Sequence, residues 1–157
     1  MTASQSQLIR RRGEGPRHDV LGMAHEYKLL ASESGGAFMQ FIATVPPGHG
    51  APMHNHDRDG ESFFILEGEI TARFEDGSSA VAGAGDFLWF PPNVVHSFAN
   101  EGAVTARALV VQSPGLEAER FFGELDAMAR IPGFMPERDV PEVGGRNGVR
   151  VRVPADA

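Results

Sequence analysis

Four residues of this chain have the types and spacing of a metal-ligand set: His54, His56, Glu61 and His96. One residue separates His54 from His56, so on an extended strand both imidazoles project to the same face. Glu61 follows five residues after His56, where the chain re-enters an apolar run, and His96 arrives far downstream, after Pro91-Pro92. Three imidazoles and a carboxylate suit one first-row divalent metal per chain: manganese, iron, cobalt, nickel, copper or zinc. A metal that prefers five or six ligands then keeps positions open for water, a small-molecule substrate or dioxygen. Taken singly, each residue has a plainer reading as a surface histidine or a solvated carboxylate. The set, with its glycine and proline punctuation, is what points to metal.

The elements that must position these residues read as short strands. From Ala37 to Val45 the chain alternates, with Met39, Phe41, Ala43 and Val45 on one parity and Gln40 and Thr44 on the other, until Pro46-Pro47-Gly48 stops it. Apolar runs recur at Glu26 to Leu30, Ser62 to Phe74, Ala80 to Ala82, Asp86 to Phe90, His96 to Phe98 and Val104 to Val111, and Asp76-Gly77 marks a hairpin. Short strands at regular spacing with turns between them predict an all-β sandwich or barrel over residues 18–115. Ser113-Pro114 then reads as a helix start, and Phe121, Phe122, Leu125 and Met128 form one apolar stripe of a C-terminal α-helix over 116–131. Residues 1–17 read as a flexible N-terminal arm. Residues 132–157, rich in Pro, Gly and charge, read as an irregular tail or lid, with one strand candidate at Val149 to Val153.

Composition narrows the function classes. The 157 residues fit one ordinary domain, and 14 Lys plus Arg against 21 Asp plus Glu give a net charge of −7. That acidity argues against nucleic acid as a partner. With no cysteine, disulfide scaffolds, thiol catalysis and iron–sulfur clusters are excluded. No apolar stretch approaches a membrane span or a secretory segment, since Arg10-Arg11-Arg12 is followed by breakers, so a cytoplasmic location without membrane association is expected.

The run from Gly48 through His54, His56 and Glu61 to Gly68 resembles the first cupin motif, Gly, five residues, His-x-His, a short gap, Glu, six residues, Gly. Gly85, Pro91, His96 and Asn100 resemble the second motif, with Asn93 standing where the pattern has glycine. Asparagine tolerates the left-handed conformation, and Pro92-Asn93 can occupy the centre of a type II turn. The resemblance covers roughly residues 37–113. It implies a cupin fold (a double-stranded β-helix, or jelly-roll, barrel) with His54, His56, Glu61 and His96 as ligands of a metal near one mouth. Glu61-Ser62-Phe63-Phe64-Ile65-Leu66-Glu67-Gly68-Glu69 and Gly85 to Pro92 are similar to the quercetinase-like single-cupin group, some of whose members are flavonol dioxygenases.

That likeness implies a metal-dependent oxidoreductase in which Glu61, ligand and catalytic base, accepts a proton from an enol or a flavonol-like aromatic before dioxygen attacks. Strand parity turns Met39, Phe41, Phe63, Ile65 and Phe98 inward, where they either line a substrate pocket or simply fill a small barrel, and His49 lies near the mouth. Arg73 and Arg107 are the candidate interior cations that a sugar-phosphate isomerase or a decarboxylase would want, and either fits the outer sheet face equally. His18 and His25 lie outside both motifs and carry no expected chemistry. A non-catalytic metal- and ligand-binding cupin, a sensor or storage protein, is the alternative. Family analogy implies a homodimer, formed through sheet faces or an exchanged strand from Val20 to Leu30.

Overall fold

The computed structural model describes residues 6–152; the outermost parts of the expected arm and tail, residues 1–5 and 153–157, lie outside them. Two antiparallel sheets face each other. One is built from β1 (Arg17–Val20), β2 (Met23–Leu29), β3 (Met39–Val45), β5 (Gly60–Glu67), β8 (Phe87–Phe90) and β10 (Ala106–Ser113), in the order β1-β2-β3-β10-β5-β8. The other holds β4 (Gly50–His56), β6 (Glu69–Phe74), β7 (Ser79–Gly83), β9 (His96–Ala99) and β11 (Val149–Val151), in the order β11-β4-β9-β6-β7. This is the expected all-β jelly-roll barrel. Its alternation is plainest in β3, where Met39, Phe41, Ala43 and Val45 are buried and the residues between them are not.

The motif residues make the turns. Asn93 has φ +66°, the left-handed conformation that a type II turn needs at that position, and Val94 N–H closes the turn onto the Pro91 carbonyl at 3.3 Å. Its own N–H donates to the His56 carbonyl at 2.8 Å, so the turn that delivers His96 is tied to the strand carrying the other histidines. Asn100 is fully buried; its amide donates to the Val45 and Val104 carbonyls, both at 2.8 Å, and its oxygen accepts Gly102 N–H.

The chain ends correct the sequence reading. From Arg10 onward the expected arm is fastened to β2, the Arg10 guanidinium bridging Glu33 and the Lys28 carbonyl while Pro16 accepts Tyr27 N–H. Helix α1 spans Leu116–Met128 and so starts after Ser113-Pro114; Ser113 ends β10 and its hydroxyl donates to the Ala37 carbonyl. Residues 132–152 are not irregular. They form helix α2 (Pro136–Arg146) and β11, which pairs with β4 opposite His54, Asn55 and His56. Pro141 and Gly144-Gly145 hide this helix from propensity, but tertiary packing decides. Val140 and Val143 are buried, and a side chain at Gly144 would collide with the Val149 carbonyl, 2.5 Å from its Cβ. No helix among the described residues is long and apolar enough to cross a membrane.

The helix cap comes from far away in sequence. Buried Asp59, in the β4–β5 turn, accepts Gly115 N–H at 2.9 Å and Ala118 N–H at 3.3 Å. It thereby satisfies donors at the start of α1 and places negative charge at the positive end of its dipole. Asp59→Ala should cost about 1–2 kcal/mol and lower Tm by about 2–8 °C in a calorimetric scan, with Asp59→Asn much closer to wild type.

Candidate metal centre

All four predicted ligands converge. His54 and His56 on β4 and His96 on β9 come from one sheet, Glu61 on β5 from the other, and one ligand atom of each lies within 4.8 Å of the others. All four are buried. His54 and His96 are cross-strand partners with ring centroids 4.5 Å apart, and the His96 ring stacks on Phe90 at 3.9 Å.

Hydrogen bonds set which nitrogens face the centre. His54 Nδ1 lies 2.8 Å from the Pro52 carbonyl and His96 Nδ1 2.9 Å from the Val94 carbonyl. A carbonyl can only accept, so both Nδ1 atoms carry the proton and both Nε2 atoms present lone pairs inward. The Nε2 atoms of His56 and His96 each stand 3.6 Å from a Glu61 oxygen, too far for a hydrogen bond. His56 Nδ1 and Nε2, Glu61 Oε1 and His96 Nε2 are buried with no partner among the described residues. Orphaned, convergent N and O donors fit a divalent cation, which would take up these lone pairs.

Electrostatics agree. Burial pushes the Glu61 carboxyl up, but the surrounding His96, His56 and His54 more than offset this and hold it down at about 2. Burial, with His56 and His96 beside it, lowers His54 to about 4, so its imidazole stays neutral and available as a ligand.

Sequence reasoning missed Gln112. Fully buried on β10, opposite Glu61 in the ladder, it donates its amide to Glu61 Oε2 and orients the carboxylate. The signal was there: Ala106, Ala108, Val110 and Gln112 share one inward parity, and a glutamine ending an apolar row has a polar partner to meet.

Above the four donors lies a cavity of about 60 Å³. Phe41, Phe63 and Phe98 line it, the last two edge to face at 4.9 Å. Met39 and Ile65 are fully buried but belong to the core instead. Ile65 is four residues along β5 from Glu61, which places it about 13 Å away toward the other end of the barrel. His49 is exposed in the turn before β4, its Nδ1 on the Pro47 carbonyl. The roof is supplied by Phe121, Phe122 and Leu125 of α1, Val140 of α2, and Val149 and Val151 of β11. Buried His25, given no role above, is part of the wall. Arg73 pairs with Glu101 and Arg107 with Glu67, both outside the cavity, whose lining holds no Lys or Arg among the described residues.

A pH dependence of the metal-free protein follows. His54, at about 4, and His25, lowered by burial to about 3, both lie below the ordinary histidine value, so the unfolded chain takes up these protons first as pH falls. Stability is then full above about pH 6.5 and declines from there through pH 4. Glu61, depressed from its ordinary 4.5 to about 2, adds a further loss over that lower range. Thermal scans of chelated protein should show Tm falling by about 5 °C or more between pH 7 and 4.5.

Comparison with known proteins agrees with this geometry. The cupin domain family matches residues 41–112, the segment that carries all four donors and Gln112. Quercetin 2,3-dioxygenase of Bacillus subtilis is 33% identical over 113 residues, 72% of this chain and 33% of that protein. The chain spans about a third of the length of the curated relatives it matches. Among solved structures, the polyketide cyclase RemF of Streptomyces resistomycificus superposes with a TM-score of 0.61 at 19% identity, covering 69% of this chain and 80% of that one. A predicted oxalate decarboxylase of Thermotoga maritima gives 0.59 at 21% identity, covering 68% and 98%. At such identities the likeness shows the fold alone. Joined to the two motifs and the four convergent donors, the family match identifies the barrel, over residues 41–112, as a cupin domain.

Proposed function

We propose that the protein is a metal-dependent cupin oxidoreductase, a dioxygenase acting on a small substrate with an ionisable enol or phenol oxygen. One observation carries this reading: a four-donor centre with orphaned lone pairs adjoins, through His54, His56 and Glu61, an apolar, aromatic-walled cavity whose described lining contains no Lys or Arg. His54, His56, Glu61 and His96 would hold the metal, which when bound supplies a Lewis acid that lowers the pKa of a coordinated hydroxyl and, if redox-active, an electron route to dioxygen. Glu61, held at about 2, is a firm anionic ligand and a weak proton acceptor. Gln112 fixes the carboxylate, while the rings of Phe41, Phe63 and Phe98 exclude water and offer flat apolar surface. The outward placement of Arg73 and Arg107 weighs against a sugar phosphate or a carboxylate substrate.

Volume bears on substrate size. A cavity of roughly 150 Å³ accepts benzene, and the 60 Å³ present here is less than half of that. A short enol or a one-ring phenol asks for less rearrangement of α1, α2 and β11 than a flavonol does.

Elemental analysis of protein purified without chelator should find about one iron, manganese, cobalt, nickel or copper per chain, lost in His96→Ala. Oxygen-electrode assays of the loaded protein against short enediols, one-ring phenols and a flavonol should show uptake with the smaller compounds. Stoichiometric zinc and no uptake with any of them would leave a non-catalytic binding protein. The dimer is likewise proposed, through the outer face of β5 and β8. There Phe64, Phe87 and Trp89 are 43%, 63% and 51% exposed, Phe64 and Phe87 as cross-strand neighbours. Light scattering should give twice the chain mass for the wild type and the single-chain mass for Trp89→Lys.

A further inference from the structure

Three residues outside both motifs line up between the cavity and the surface. His25 lines the cavity and is stacked on Phe41, ring centroids 4.4 Å apart, with its edge to Phe122 at 4.8 Å. Its Nδ1 lies 3.4 Å from the Tyr27 hydroxyl. The same hydroxyl lies 3.3 Å from Nδ1 of His18, which is half-buried on the edge strand β1, directly across the ladder from His25. Tyr27 is completely buried. Its oxygen is thus nearly equidistant between two ring nitrogens, and both separations are long enough for the hydroxyl to swing from one to the other. His25 meets the Tyr27 hydroxyl through Nδ1, so Nε2 is the ring atom left to meet an occupant of the cavity.

We propose that His25, Tyr27 and His18 form a proton relay that carries a proton from a ligand in the cavity to solvent, with His25 Nε2 as the receiving atom. The valences dictate its states. A neutral tyrosine donates one hydrogen bond, so it can donate to only one of the two Nδ1 atoms and must accept from the other. When Tyr27 donates to His18, His25 carries its proton on Nδ1 and offers the Nε2 lone pair to the cavity.

Transfer then balances as follows. The ligand O–H bond breaks and an N–H bond forms at His25 Nε2; the His25 Nδ1 proton passes to Tyr27 Oη; the original phenol proton passes to His18 Nδ1. His18 is now the cation, and it releases its Nε2 proton to water. His25 ends neutral with its proton on Nε2, donating toward the oxyanion it has just created. The arrangement matters because burial disfavours charge on His25. The relay lets it accept a proton without keeping the charge, which comes to rest at the half-buried end.

The charged and titratable groups facing the relay suit that direction. Asp126 and Glu119 on α1 act on the His18 and Tyr27 end, with Asp126 also paired to Arg130, and Glu61 on β5 acts on His25. The two carboxylates of α1 favour positive charge outside, and a metal beside Glu61 would oppose it inside. The catalytic meaning of the relay rests on the proposed reading of the cavity, but its existence is tested without turnover.

Two-bond ¹H–¹⁵N histidine spectra of the full-length, zinc-loaded protein should be recorded between about pH 8 and 5. The expected result is that His25 stays neutral and moves its proton from Nδ1 to Nε2 in step with protonation of His18, both changes sharing one midpoint. In Tyr27→Phe, which removes only the hydroxyl, His18 should titrate with no change at His25. In His18→Gln, at the half-buried end, His25 should keep one tautomer throughout, which preserves the test should the buried substitution unfold the chain. A His25 that holds one tautomer while wild-type His18 titrates, that itself becomes cationic in this range, or that still switches without the Tyr27 hydroxyl, would overturn the relay. An absence of oxygen uptake with every substrate would refute the dioxygenase reading and leave these spectra unchanged.

Discussion

The structure is organised around the burial of donor atoms that the protein itself does not satisfy. Among the described residues neither ring nitrogen of His56 has a partner, and His96 Nε2 and Glu61 Oε1 are in the same condition. Each such group costs about 1–3 kcal/mol in an apolar interior, so a barrel that holds all of them within one small volume is at odds with its own stability unless something else takes the lone pairs. The fold answers by fixing the donors rather than satisfying them. Backbone carbonyls of Pro52 and Val94 set two tautomers, Gln112 holds the carboxylate, and Phe90 clamps the His96 ring. Since three donors belong to one sheet and the fourth to the other, a cation bound here would join the two sheets, and its binding free energy would count toward folding.

The C-terminal segment serves the same constraint. Without β11, the strand bearing His54 and His56 would be a sheet edge, with frayed pairing and open backbone groups. With it, β4 is an interior strand, paired on one side to β9 and on the other to Val149–Val151. The helices that deliver β11 also roof the cavity with Phe121, Phe122, Leu125 and Val140. Rigid ligands and a dry site therefore depend on one stretch of chain, held in turn by the Asp59 cap reaching from the β4–β5 turn two residues before Glu61. Stability of the helix and placement of the carboxylate are coupled through that turn.

Much of this was legible in the sequence where the physics is local. Strand parity in β3, the His-x-His spacing, and the left-handed Asn93 before His96 each depend on a few neighbouring residues, and each reads through to the fold and to the cluster of four. What was not legible depends on long-range packing. Helix α2 contradicts its own composition, with two prolines and two glycines, and exists because Val140 and Val143 have a surface to cover. Ile65 has the same parity as Phe63 and yet misses the cavity, because parity gives the face of a strand and not the depth along it. His25 and Gln112 were hidden for a related reason: each is one polar residue in an otherwise apolar inward row, and its partner comes from another strand or lies two residues along its own.

The polarity of the cavity limits what can bind in it. At one end lie the neutral His54 imidazole, the His56 ring and the Glu61 carboxylate; the walls are aromatic and aliphatic; the described lining contains no Lys or Arg. A ligand bearing a phosphate or a free carboxylate would leave that charge against phenyl rings, a desolvation cost of several kcal/mol with nothing to offset it. A ligand that entered neutral and ionised only on arrival would avoid the cost, because its charge would appear next to a cation held by the four donors rather than being carried through the roof. Such a ligand would have to dispose of a proton in an apolar site, and Glu61, which would be bound to the metal and is held at about 2, is a poor place to put it. The donor set therefore creates the need for a second acceptor that is neutral, buried and connected outward, and in the described wall His25 is the group with those properties.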